Sequence, residues 1–169
     1  AIYRGKITRA EAEARIDGYW RPYHDCLRAL MESARAEFGG AILIDVHSMP
    51  HEAMDCIAGT GLRRPEIVLG DRFGTAAGSD VIERVESAFH RAGFRTVRNT
   101  PFAGAYITQT YGQPSRGHHA IQVEIDRALY MNEREIRPNG NFMSFRRQLH
   151  AVLAEITGIG RHEMPLAAE

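Results

Sequence analysis

The sequence predicts an α/β fold with a central mixed, mostly parallel sheet flanked by helices. Two observations predict it. Short apolar runs of strand length, such as 41–46 and 120–125, are bounded by glycine or polar residues. Between these runs lie longer segments in which apolar residues recur at three-to-four spacing. The resulting order of helix, strand, strand, helix, strand, strand, helix is typical of an α/β domain.

The first predicted element is one long amphipathic helix. A Thr-Arg-Ala-Glu capping box at 8–11 opens it, and apolar residues recur at helical spacing over 16–38. A Gly-Gly pair at 39–40 ends it. Pro22 lies inside this helix and should kink it near residues 18–20. The strand at 41–46 follows at once, which predicts a helix-to-strand unit with a short link.

The later elements are predicted from turn residues and from the apolar runs between them. Residues 49–65 hold proline and glycine without periodicity, and we expect a long loop beside a functional site. Residues 99–104 are a turn-rich loop. The other predicted elements are strands at 66–70, 94–98 and 120–125, an extended segment at 105–110, and helices at 81–92 and 142–156.

Length and composition indicate a single domain, residues 1–169. Of the 169 residues, 44% are hydrophobic and 25% are charged, which is ordinary for a globular protein. The formal net charge is zero, so charge points neither to nucleic acid nor to an acidic membrane surface. The chain opens on Ala1 rather than on methionine, and we therefore expect it to be a piece of something longer.

Cysteine usage predicts a reducing, cytoplasmic setting. Cys26 and Cys56 are too few for a disulfide scaffold and lack Cys-X-X-Cys spacing. We find no signal peptide and no apolar run of membrane-spanning length, so we expect neither secretion nor a membrane partner. The sequence pattern does not indicate an oligomeric state.

His47 is the first candidate for chemistry. It follows an apolar strand within Asp45-Val-His47-Ser48, where a strand delivers polar side chains to the edge of a sheet. In the functional interpretation it is a metal ligand, oriented by Asp45 or by a backbone carbonyl. The alternative is a hydrogen-bonded histidine at the end of a strand.

Glu124 is the second candidate, because it is a carboxylate in the middle of an apolar strand. Val123 and Ile125 should exclude water from it and raise its pKa, which suits a general base. Period-two alternation places Gln122 on the same face. The alternative is a buried carboxylate paired with an arginine such as Arg127.

Other histidines are weaker candidates. His51 lies four residues after His47, and an exposed loop histidine is favoured over a neighbour of substrate or metal. His118 shares the face of Glu124 by alternation, and a role near a site and a structural turn are equally supported. His119 should face the other way.

Several polar residues could hold a substrate. An arginine fork matches a carboxylate bidentately, although solvation is the commoner role of a surface arginine. Tyr106 and Tyr111 could donate to a substrate oxygen or simply pack. The candidates for substrate binding are Arg72, Arg98, Asn99, Tyr106, Gln109 and Arg116.

Six segments, in this order, resemble the N-formylglutamate amidohydrolase family. They extend over the chain from about Ala1 to Met131, and together they are far more specific than any one alone. The segments are Tyr19-Trp-Arg-Pro-Tyr-His24, Ile44-Asp-Val-His-Ser-Met49, Val68-Leu-Gly-Asp-Arg-Phe-Gly74, Asn99-Thr-Pro-Phe-Ala-Gly-Ala-Tyr-Ile-Thr108, Tyr111-Gly-Gln-Pro114 and Gln122-Val-Glu-Ile-Asp-Arg-Ala-Leu-Tyr-Met131.

The resemblance implies the fold of zinc-dependent exopeptidases and deacylases, with Zn²⁺ as cofactor. It implies that a zinc-bound water attacks the amide of a small N-acyl amino acid. His47 would be a zinc ligand, and Glu124 would activate the water and pass its proton to the leaving amine. The implied substrate is N-formyl-L-glutamate, hydrolysed to formate and glutamate late in histidine breakdown. Arginines and the Asn99 region would hold the glutamate carboxylates.

Two departures from the family pattern stand beside this resemblance. Family members are longer and carry further metal ligands in an N-terminal segment with a Pro-His-Ser-Gly type motif, so we expect this chain to be the C-terminal portion of a longer amidohydrolase domain. Gln109 stands where the family has an arginine, which opens the substrate to other acyl groups. The alternatives are a deacylase or carboxypeptidase-like hydrolase of the same fold, and a metal-free binding domain.

Overall fold

The computed structural model describes residues 5–55 and 64–159, and the part of the predicted 49–65 loop at 56–63 lies outside the described residues. The helices and strands are α1 (Arg9–Arg15), α2 (Arg21–Phe38), β1 (Ala41–Met49), β2 (Ile67–Gly70), α3 (Ser79–Arg91), β3 (Thr96–Arg98), α4 (Tyr106–Tyr111), β4 (His118–Asp126), β5 (Met131–Asn132), β6 (Arg137–Pro138) and α5 (Phe142–Ile156). No helix among these residues is both long and apolar enough to cross a membrane.

The main sheet has four strands in the order β1-β4-β2-β3. β1 pairs with β4 in parallel, and β2 pairs with β3 in parallel. β2 runs antiparallel to β4 and joins the two pairs. The prediction of an α/β fold with a mixed, mostly parallel sheet is therefore confirmed. The two strands β5 and β6 form a separate small hairpin.

The two faces of the sheet are covered by different helices. On one face, α3 and α5 pack against the strands in a core that includes Ile82, Phe89, Val123 and Val152, all nearly inaccessible to solvent. On the other face, α2 and α4 pack over a smaller cluster of Met31, Ala41, Tyr111 and Ala120. Side chains alternate along β4, so its polar residues 122, 124 and 126 share the second face.

The N-terminal helical region is interrupted rather than continuous. The predicted cap is present, with the Glu11 N–H donating to Thr8 Oγ1 at 3.2 Å, and α2 ends at Gly39 in the left-handed region, with φ 79°. Between α1 and α2, residues Ile16–Trp20 form a π-helical segment just before Pro22. A wider turn there removes the need for a regular helical hydrogen bond from the proline nitrogen.

The apolar stripe of the N-terminal helical region is only partly buried. α2 buries His24 and Met31, whereas Tyr19, Tyr23 and Leu30 are 78%, 59% and 62% exposed. Spacing identifies an apolar face, but burial also needs a packing partner, and the described residues supply one only along part of the helix.

The prediction of an extended segment at 105–110 is wrong, because residues 106–110 belong to the helix α4. Gly104 takes φ 110° and turns the chain into the helix. Thr108 Oγ1 donates to the Ala105 carbonyl at 2.9 Å and supports the first turn. Threonine, isoleucine and tyrosine favour strands by propensity, and packing against β4 overrides that preference here.

Candidate functional site

A polar site lies on the α2–α4 face, where β1 meets β4. His47 and Glu124 are register partners across the parallel strands, and Asp45 pairs in the same way with Gln122. Alternation directs Asp45 and His47 to the same side of β1. Two strands far apart in sequence therefore bring four polar side chains together, two of which were the leading candidates from the sequence.

The two β1 residues form a pair of their own. His47 Nε2 lies 2.9 Å from Asp45 Oδ2, with side chains that are 46% and 20% exposed. This contact matches the predicted arrangement in which Asp45 orients His47. The imidazole therefore has one ring nitrogen engaged by a carboxylate.

Glu124 is held by a short chain of hydrogen bonds. Gln122 Nε2 donates to Glu124 Oε1 at 2.9 Å, and Gln122 Oε1 accepts from the Ala105 N–H at 2.9 Å. The backbone of Ala105 thereby sets which end of the Gln122 amide faces Glu124. The loop before α4 thus positions the carboxylate through one intermediary.

Burial governs the electrostatics of Glu124, which is 8% exposed. Loss of water raises the pKa of this carboxyl above its ordinary value, while the charge of His47 and the hydrogen bond from Gln122 act in the opposite direction. A buried carboxyl with a raised pKa is suited to accept a proton during a reaction.

Gly70 allows the loop to approach the sheet. A Cβ at this position would lie 2.6 Å from the Gly104 nitrogen and 2.7 Å from the Ala103 carbonyl carbon. Gly70 is also the register partner of Gln122. The absence of a side chain at Gly70 is therefore what lets Ala105 reach Gln122.

Asn99 and Arg72 shape the turn after β2. Asn99 Nδ2 donates to Asp71 Oδ1 at 2.6 Å, and Asn99 Oδ1 accepts from the Asp71 N–H at 3.1 Å. Both Asn99 and Arg72 have positive φ, 59° and 54°. Arg72 Nη1 lies 3.5 Å from the Gly104 carbonyl, which places its guanidinium beside the loop that carries Ala105.

Tyr106 and Gln109 lie on α4, on the same side of the sheet as Glu124. Tyr106 directly follows Ala105, is 49% exposed, and has its ring 5.9 Å from that of Trp20. Gln109 is exposed one turn further along the helix. These two residues are therefore near the edge of the site.

Two of the predicted arginines lie elsewhere. Arg98 Nε donates to Glu86 Oε2 at 3.0 Å on α3, on the opposite face of the sheet. Arg116 comes before β4, whose first residue His118 is six positions from Glu124, about 20 Å at the usual rise of a strand. His118 is likewise remote from Glu124, with Nε2 4.0 Å from Glu32.

The structure therefore gathers Arg72, Tyr106 and Asn99 around the loop and separates Arg98 and Arg116 from it.

Two contacts near the site were not predicted from the sequence. His51 Nδ1 lies 2.7 Å from Asp126 Oδ2. His24 Nδ1 lies 2.7 Å from the Tyr111 hydroxyl, so Tyr111 packs and bonds within the protein. The alternation of Gln122, Glu124 and Asp126 was visible in the sequence, but the partner of Asp126 depends on how the chain turns after β1.

The described residues do not complete a metal site by themselves. Within 5–55 and 64–159, no group of three or more histidine, cysteine, aspartate or glutamate side chains is arranged to hold a metal ion. His47 supplies one candidate donor, with Asp45 engaged with its ring, whereas a zinc centre generally uses three or four protein ligands. At most part of a zinc site is thus present in the described part of the chain.

Comparison with known proteins decides the family. The model of the N-formylglutamate amidohydrolase family matches residues 1–131. The chain belongs to this family. A family relative, the N-formylglutamate deformylase of Pseudomonas putida, is 33% identical over 126 residues, which are 74% of this chain and 46% of that protein. The deformylase of Pseudomonas aeruginosa is 34% identical over 135 residues, 78% of this chain and 50% of its own length.

A solved member of the N-formylglutamate amidohydrolase family has the same fold. The crystal structure of the enzyme from Ralstonia eutropha superposes with a TM-score of 0.83 at 33% identity, covering 95% of this chain and 58% of that one. The chain spans about half the length of the two deformylases it matches. The resemblance to this family that the sequence analysis stated is therefore confirmed over residues 1–131.

Proposed function

We propose that the natural protein hydrolyses the amide bond of N-formyl-L-glutamate to formate and L-glutamate. The observation that carries the proposal is the buried Glu124 beside His47, in a chain of this family. Both deformylases it resembles are named for this substrate. The reaction would be a late step of histidine breakdown, and the cysteine usage is compatible with a cytoplasmic setting.

Glu124 is the proton carrier in this proposal. Its carboxylate takes a proton from the water that attacks the formyl carbon, and the same carboxyl then delivers it to the nitrogen of the departing glutamate. Burial keeps the pKa of Glu124 raised, which favours uptake of the proton from the attacking water. Gln122 holds the carboxylate in place during both transfers.

His47 is proposed as one ligand of a zinc ion, with Asp45 orienting its ring. The imidazole–carboxylate pair at 2.9 Å is the support for this assignment. When bound, zinc would polarise the amide carbonyl and favour ionisation of water. The remaining ligands would come from outside the described residues.

Arg72, Asn99, Tyr106 and Gln109 are proposed to line the substrate cleft, because all four lie on or beside the loop that leads into α4. Arg98 and Arg116 belonged to the same prediction from sequence. Their placement gives them no support as carboxylate receptors beside Glu124.

The test is hydrolysis of N-formyl-L-glutamate by the natural full-length protein, with zinc content measured by mass spectrometry. We expect release of formate, about one zinc per chain, and loss of zinc in His47→Ala. A full-length protein that releases no formate contradicts the proposed substrate. An active protein without metal contradicts the role of His47.

A second candidate function is hydrolysis of another N-acyl amino acid by the same groups. Gln109 supports it, since this residue is exposed and stands where the resemblance leads us to expect an arginine. A comparison of formyl, acetyl and succinyl derivatives of glutamate separates the two candidates. Faster turnover of an acetyl or succinyl compound would favour the second.

A further inference from the structure

A second histidine–carboxylate pair lies at the same end of the β1–β4 pair as Glu124. His51 Nδ1 is 2.7 Å from Asp126 Oδ2, and their side chains are 48% and 4% exposed. A nearly buried carboxylate is therefore joined to a half-exposed imidazole. In such a pair the carboxylate holds one ring nitrogen, and the other ring nitrogen remains available to a ligand.

Both members of the pair are anchored by the fold. Asp126 is the last residue of β4, and its Oδ1 accepts from the Ala128 N–H at 2.9 Å. His51 opens the 3₁₀ turn after β1, and its N–H donates to Glu133 Oε2 at 3.2 Å. Because Nδ1 faces Asp126, Nε2 at the opposite corner of the ring points away from Asp126.

The pair stands close to Glu124. Asp126 and Glu124 are two positions apart on β4 and share one face, which separates them by about 7 Å. That distance is comparable to the length of an amino-acid side chain. A substrate with its amide at Glu124 that extends along β4 toward Asp126 would have its remaining polar group in the vicinity of His51.

We propose that His51, positioned by Asp126, binds the side-chain carboxylate of the substrate through Nε2–H. The inference rests on the proposed function, because it assigns a receptor for one end of an N-acyl glutamate. A protonated imidazole donates from both ring nitrogens, so one N–H serves Asp126 and the other serves the substrate. Arg98 and Arg116, two of the arginines predicted as receptors, are placed away from this end of the sheet.

The experiment compares two substrates that differ in one charged group. Wild type and His51→Asn full-length protein are assayed with N-formyl-L-glutamate and with N-formyl-L-glutamine, which lacks the side-chain carboxylate. We expect kcat/KM for the glutamate compound to fall about 10- to 100-fold in the variant, mainly through KM, as loss of a charged hydrogen bond implies. The glutamine compound should be hydrolysed by both proteins with equal kcat/KM.

A matched control and a second variant test whether the effect is specific to the His51–Asp126 pair. His90→Asn removes an exposed histidine on α3 whose ring contacts Thr96 Oγ1 at 2.6 Å, and it should leave both substrates unaffected. Asp126→Asn keeps an acceptor for His51 but removes the charge, so it should show the same selective loss to a smaller degree. Circular dichroism establishes that each variant is folded.

The outcomes separate the inference from the proposed function. Equal losses on both substrates, or no loss on either, overturn the role of His51 while the hydrolase activity stands. A wild-type protein that hydrolyses neither compound overturns the proposed function and the inference with it. A selective loss on N-formyl-L-glutamate supports both.

Discussion

His47 and Glu124 face each other as register partners across the parallel strands β1 and β4. Parallel pairing fixes this relationship through the backbone, so neither side chain has to be brought into place by a flexible loop. The hydrogen bond from Gln122 then sets the orientation of the carboxylate. Glu124 thus lies on a central and largely buried strand of the sheet, and substitutions there should affect stability and activity together.

Glu124→Gln should greatly slow hydrolysis and also stabilise the protein. The lost proton transfer corresponds to about 10²- to 10⁴-fold in kcat. Burial raises the pKa of Glu124 above 4.5 in the folded state. At pH values between 4.5 and the raised pKa, the folded protein therefore binds this proton more tightly than the unfolded chain does. Wild-type stability from this group therefore falls as pH rises through that window, and the variant lacks this loss.

Thermal melts from pH 4 to pH 8 check the stability half of this prediction. The Tm of Glu124→Gln should equal that of wild type near the acid end and exceed it increasingly toward neutral pH. Glu83→Gln, at an exposed position on α3, is the control and should follow the wild-type curve. A variant less stable than wild type at pH 8 would show that the ionised carboxylate is well compensated.

Gln122→Leu should destabilise the protein and lower its activity. The change removes both hydrogen bonds of the side chain and leaves the Ala105 N–H unpaired, at a cost of about 1–3 kcal/mol. Urea unfolding measures the cost, and formate release measures the activity. Gln148→Leu, on an exposed position of α5, provides the comparison and should be near neutral in both.

Gly70→Ala should cost about 1–3 kcal/mol of stability, because the added methyl group would meet backbone atoms of Ala103 and Gly104 rather than a movable side chain. Gly140→Ala is the matched substitution, since a Cβ there has nothing within 4 Å. Chemical denaturation of both variants gives the two values. Equal values would mean that the loop yields to the methyl group at no cost.

Tyr111→Phe should lower the free energy of unfolding by about 1–3 kcal/mol. The tyrosine hydroxyl contacts His24 Nδ1 at 2.7 Å in a buried position, and its removal leaves the imidazole nitrogen unpaired. Tyr19→Phe, at a residue 78% exposed, should have no measurable effect. The difference between the two Tm values checks the prediction, and a difference of zero contradicts it.

Much of the fold was predictable because strand length and alternation leave a clear signal. The strands around Asp45 and Glu124, the helix at 142–156 and the class of sheet all follow from apolar patterning. The short helix α4 did not, since its residues favour strands and the helix depends on Gly104 and on packing against β4. The secondary-structure propensity of a segment is the weakest guide where tertiary contacts decide its conformation.

The candidate site was predictable in its centre and not at its edge. His47 and Glu124 were identified because polar residues interrupt apolar strands. The pairing of Arg98 with Glu86 and the contact of His51 with Asp126 could not be predicted, because each depends on which face of the sheet a distant element covers. Residue type indicates what a side chain can bind, and topology decides what it meets.

The loop from Asn99 to Ala105 has a consequence for how such a site can change over time. Its first residue is tied to the Leu69 carbonyl and its last to the Gln122 side chain, so its length is matched to the distance between two fixed points. An insertion or deletion within it would shift the amide that orients Glu124, and would alter the acid strength of that carboxyl without replacing any residue that touches it. Divergence in the proton affinity of this carboxyl can therefore begin in the loop at 99–105, outside the strand that carries Glu124.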